Sequence, residues 1–113
     1  MAKTFKLKAG DIEELTMVRG GCFATDRITV EGLPVRFMYR EAPEGEEDTG
    51  WRFCSAIDED EAYMDDPDNI SFFDVNTIAN YDRSIIPFLM SPVGAAFEKP
   101  PGEDEFVEVF EDD

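Results

Sequence analysis

The densest run of reactive side chains is "DEDEAYMDDPDN", residues 58–69, with seven carboxylates and no base. Carboxylates at that density can hold a hard cation, work in pairs as acid and base, or face a cationic partner. An EF-hand loop needs acids at its first, third and fifth positions, glycine at the sixth and glutamate at the twelfth. Counted from Asp58, Asp60 fits the third position, but Ala62, Tyr63 and Asn69 fail the others. Counted from Asp66, Asp68 fits while Ile70, Ser71 and Thr77 fail. A weak divalent-ion site at Asp58, Asp60 or Asp65 stays open, and no tight calcium site is expected.

Other chemistries lack their parts. The chain has no histidine, which removes Ser-His-Asp and Cys-His nucleophiles, His-ligated zinc and an imidazole base. Two cysteines, Cys22 and Cys54, are too few for a structural zinc site. Spacing does not exclude a disulfide between them, although free, half-buried thiols are expected. No phosphate-binding glycine loop occurs, and the four lysines stand at positions 3, 6, 8 and 99, near the ends. Paired carboxylates are so abundant that a pair carries little meaning. Catalysis is not expected, nor is any cofactor.

The acids must be carried by a fold, and composition bounds it. The 113 residues, 42% hydrophobic with ten Phe, suffice for one core. A formal charge of −17 repels nucleic acid and anionic membranes and attracts cationic proteins. From Glu41 to Asp74 there are 13 acids against one base, Arg52. Tyr63 and Met64 sit inside that acidic surround. They either anchor a partner or tack the loop onto the core. No apolar run is long enough to span a bilayer and no signal peptide is recognisable, so a cytoplasmic location is expected.

Local patterns predict the elements. Asp11, the early acids and Arg19 before Gly20 read as a short helix. "CFATDRITV" and "VRFMYRE" read as two strands of a hairpin about "VEGLP". "WRFCSAI" reads as a third strand, with Trp51, Phe53 and Ile57 on one face. Arg36, Arg40 and Arg52 are candidates for one common face, and Trp51 is expected to be buried with Phe53 and Phe37. Ile70 to Phe73 reads as a short buried strand. Asp74 and Asp82 read as caps of two helical turns, the second limited by Pro87. "VGAAFEK" and "EFVEVFE" form a closing hairpin around "PPGEDE". The prediction is a single α+β domain over 1–113, mainly antiparallel sheet with a few short helices, frayed at 1–9 and 111–113.

Five strings in order, "GGCFATDRITVEG", "FMYREAP", "DTGWRF", "DEAYMDDPDN" and "DVNTIANYDRSIIPFL…SPVGAAFE", cover roughly Gly20 to Glu98. Together they resemble a bacterial domain grouped with polymorphic-toxin immunity proteins, immunity protein family thirty-three. "CSAIDED" departs from the family, standing where related sequences tend to have a Gly-containing turn. The resemblance implies a small cytoplasmic α+β protein that neutralises a cognate toxin by binding it, with no catalytic or metal-binding residues. The charge fits a cationic toxin, since complementary fields speed encounter. The expected partner-binding set is Asp58, Glu59, Asp60, Glu61, Tyr63, Met64, Asp65 and Asp66, on a solvated loop. A different reading stays open, a housekeeping domain that binds a divalent metal or small ligand through clustered carboxylates.

Overall fold

The computed structural model describes residues 3–56 and 59–109. Its centre is a six-stranded sheet formed by β1 (Gly21–Thr25), β2 (Phe37–Arg40), β3 (Asp48–Cys54), β4 (Ile70–Asp74), β5 (Ala96–Glu98) and β6 (Val107–Glu108). The strand order is β4-β1-β3-β2-β5-β6. Only β1 and β3 run parallel, and the other four pairings are antiparallel. Three short helices join α1 (Asp26–Thr29), α2 (Glu61–Asp65) and α3 (Val75–Tyr81), with 3-10 turns at Ala9–Asp11, Pro67–Asn69 and Arg83–Phe88. The α+β prediction holds, as do the closing β5–β6 hairpin and the two aspartate caps. Asp74 accepts from Asn76 N, and Asp82 accepts from Ser84 N.

The core lies on one face of the sheet. Ala24, Met38, Trp51, Phe53 and Phe97 pack there with Val75, Ile78 and Ala79 of α3 and with Ile85 and Leu89. Trp51 stacks with Phe53 at 6.0 Å and donates its Nε1–H to Leu89 O at 3.1 Å. Asp82 gathers this end of the molecule. It accepts from Val35 N at 3.0 Å and from Lys99 Nζ at 2.7 Å as well as from Ser84. Burial opposes its ionisation, but Lys99 and Ser84 outweigh it and hold the carboxyl below its ordinary range.

Several local readings are overturned by tertiary partners. The expected helix from Asp11 does not form. The amides of Asn76 and Asn80 take that backbone instead, with Glu13 N, Leu15 N and Thr16 N donating to them at 2.8–3.2 Å. "CFATDRITV" is a strand only to Thr25, after which α1 begins. "VEGLP" is no hairpin turn. Gly32, at φ 79°, closes α1 by donating to Ile28 O, and the side chain of any other residue would be strained there. The real hairpin is β2–β3, with β3 inserted between β1 and β2.

The β2–β3 register also corrects the face assignments. Arg52 lies opposite Tyr39, so it projects to the face opposite Arg36 and Arg40. Phe37 lies opposite Cys54 and near Tyr39, away from Trp51. Ile70 to Phe73 belong to an edge strand, and Phe72 is 46% exposed. Nor are residues 3–8 frayed. Lys3 Nζ reaches Asp26 at 3.0 Å, Lys6 N donates to Thr29 O at 2.7 Å, and Leu7 N donates to Tyr81 Oη at 3.0 Å. Residues 111–113 lie outside the described residues, as does Ile57.

Candidate partner-binding face

The sheet face opposite the core carries one aligned row. Phe72 of β4 lies opposite Phe23 of β1, Phe23 opposite Arg52 of β3, and Arg52 opposite Tyr39 of β2. The Phe23 and Phe72 rings meet edge to face at 5.0 Å, and the Arg52 guanidinium lies 4.8 Å from the Phe23 centroid. The Phe72 ring occupies space that only a glycine at position 21 leaves open. A Cβ at residue 21 would come within 1.9 Å of the Phe72 ring.

Arg52 is buried and spent. Its Nη1 and Nη2 hold Asp48 at 2.9 and 2.8 Å, and its Nε donates to Glu41 at 2.6 Å. Asp48 also accepts from Glu44 N and Gly50 N at 2.9 Å, which shapes the 41–48 loop. The Arg52 hydrogen bond holds the Asp48 carboxyl well below the usual carboxylate range, against the effect of burial. This one guanidinium therefore clasps the first acidic segment to the sheet.

The second acidic segment forms the other wall. It is not the loop expected from its composition. Asp60 caps α2 by accepting from Tyr63 N at 2.9 Å, and Asp66 caps the next 3-10 turn through Asp68 N at 2.9 Å. Acids at this density thus also serve as helix caps.

The eight expected partner-binding residues take different places. Asp58 lies outside the described residues. Glu59 turns inward, accepting from Thr25 Oγ1 at 2.5 Å, Ser55 Oγ at 2.9 Å, Ser55 N at 3.2 Å and Ala56 N at 3.0 Å. Asp60, Glu61, Asp65 and Asp66 are exposed. Tyr63 is half-buried, with Arg27 4.9 Å from its ring centroid, so its ring rests on the body of the protein. Burial, first among the causes, pushes its phenol up. Met64 is half-buried and lines the hollow over Phe23, Tyr39, Arg52 and Ile70. In the turn before α2, Ala56 sits at φ 61°, a conformation suited to glycine.

Residues missed by the sequence reading are Phe23, Tyr39, Phe72 and Glu44. The three aromatics were signalled only by alternation within strands, which does not say which face is left open, and Glu44 was one acid among many in a loop. The first hollow, about 490 Å³, lies between the two acidic segments over Phe23 and Tyr39. An adjoining hollow of about 450 Å³ shares Phe23 and Glu44 and reaches Phe72. Among the described residues, no three Cys, Asp or Glu side chains gather so as to hold a metal ion. Cys22 and Cys54 are free and buried. Burial raises the Cys22 thiol well above its ordinary value, and pushes Cys54 up to about 12. Both stay protonated and are poor nucleophiles.

An α+β sheet domain with an acid-walled open face is thus the frame into which the family comparison fits. The model described as "Immunity protein Imm33 domain" matches residues 22–110, and the chain belongs to that family. Comparison with curated proteins and with solved structures returns no match. No helix among the described residues is long and apolar enough to cross a membrane.

Proposed function

We propose that this protein neutralises a cognate bacterial toxin by binding it directly in the cytoplasm, without catalysis and without a cofactor. Membership of an immunity-protein family supports the toxin as target. One structural observation carries the choice of a cationic protein partner. Acidic segments on either side of β3 in sequence, 41–48 and 59–69, come to flank the same open sheet face. Acidic charge of that extent accelerates encounter with a cationic protein and repels nucleic acid and anionic membranes. Asp60, Glu61, Asp65 and Asp66 provide the field, and Met64 provides apolar contact. Glu59 and Tyr63 hold the segment in shape. The test is co-expression with the toxin encoded beside its gene, followed by calorimetry on the purified pair. Growth protection with a one-to-one complex is expected. Protection without a complex, or no protection, overturns the proposal.

A further inference from the structure

The open sheet face is an apolar floor between charged walls, and its occupant can be argued from what its own charges leave unsatisfied. The two adjoining hollows are lined by six carboxylates, Glu41, Glu44, Glu46, Glu47, Asp48 and Asp65, and by one base, Arg52. Arg52 consumes Asp48 and Glu41. Among the described residues, Glu44, Glu46, Glu47 and Asp65 have no ion-pair partner. Phe72 is 46% exposed beside them, on a chain with every electrostatic reason to be polar outside. An aromatic surface with an acidic rim accepts a long side chain that is apolar along its stem and cationic at its tip.

Resting on the toxin-binding reading above, we propose that this face receives an arginine side chain of the partner, laid against Phe23 and Phe72 with its guanidinium toward Glu44. Arginine fits better than a compact ammonium because its flat head stacks on rings and pairs with carboxylates sideways. The protein already makes this contact internally, where Arg52 covers Phe23. A second copy of the chain is a poor occupant, since a charge of −17 meets its like. An anion is excluded too, because the one guanidinium here is buried and doubly paired. The site is the ringed floor, and the acids choose what lies on it.

The experiment is a titration of the full chain with N-acetyl-argininamide, followed by amide chemical shifts, with the neutral isostere N-acetyl-citrullinamide as control. Saturable shifts are expected at Phe23, Tyr39 and Glu44 with the arginine probe alone. Glu103 to Glu105, acidic but remote from these hollows, should move weakly and without saturation. Phe72→Ala and Glu44→Gln should each weaken the saturable component at least about fivefold. Glu44 is exposed, so the second variant tests the site even if the first disturbs folding. Equal shifts over all acidic segments, an equal response to citrullinamide, or affinity unchanged in both variants overturns the proposal. Failure here is separable from failure of the toxin reading. A chain that still protects against its toxin when both residues are replaced retains its function and loses only this site.

Discussion

The two faces of the sheet are built from the same residue types and put to opposite use. On the covered face, Trp51, Phe53 and Met38 are fully buried against α3 and the turn that follows it. On the open face, Phe23, Tyr39 and Phe72 form a row of comparable size that no helix of the described residues covers in the same way. Aromatic content does not separate them. What separates them is cover, and the cover comes from elements distant in sequence. Along β3 every residue is buried, including Asp48 and Arg52, so even the period-two alternation of the strand gives no exposure signal. On the open face burial is achieved by ion pairing instead of apolar packing.

The contrast is sharpest in single truncations. Trp51→Ala removes the centre of the covered face and should cost about 3–5 kcal/mol, whereas Phe72→Ala on the open face should cost under about 1 kcal/mol. Denaturant unfolding of the two variants gives the comparison directly. Equal losses would mean that the open face is a second core.

Next in size is the clasp between the faces and the acidic loop. Asp48→Asn leaves the buried Arg52 with one carboxylate fewer and should destabilise by about 2–3 kcal/mol at neutral pH. The folded Asp48 carboxyl lies below its unfolded value near 3.9, so its contribution is fully present above that value. It is lost as pH falls through and below about 4, because the unfolded state then binds the proton more readily. The stability gap between the parent and Asp48→Asn should therefore close on acidification. A gap that stays constant from neutral pH to about pH 3 would show that the carboxylate is not the origin of the effect.

A smaller change sits where β3 leaves the sheet. Ala56 occupies left-handed backbone, which costs a non-glycine residue about 1–2 kcal/mol. Ala56→Gly relieves this and gives back part as unfolded-chain entropy, so a net gain of about 0.5–1 kcal/mol is expected. A loss in thermal melting would place residue 56 outside that conformation.

The smallest effect is that of salt. Raising sodium chloride from low to moderate concentration should lift the melting temperature near neutral pH by a few degrees or less. Screening relieves repulsion among the acids of the open face more than it weakens the buried Arg52 and Lys99 pairs. A falling melting temperature would reverse the ranking of repulsion and pairing.

The sequence by itself determined whatever short-range chemistry controls. Asp74 and Asp82 cap the turns that follow them, Pro87 limits the second, and the closing hairpin forms where two apolar runs flank "PPGEDE". Missing histidine and surplus acid bounded the function, and ordered strings placed the chain in its family. The tertiary structure decided the rest, because distant groups compete with local ones for the same backbone. Asn76 and Asn80 outbid the helix signals after Asp11 for those amide donors. The β2–β3 register turned Arg52 away from Arg36 and Arg40, and insertion of β3 between β1 and β2 brought Phe23 into line with Tyr39. The acidic stretch at 58–69 was legible as charge, but not as a wall. Whether a carboxylate caps a helix like Asp60, folds inward like Glu59 or faces solvent like Asp65 depends on which donors the chain brings within hydrogen-bond reach, and composition does not carry that information.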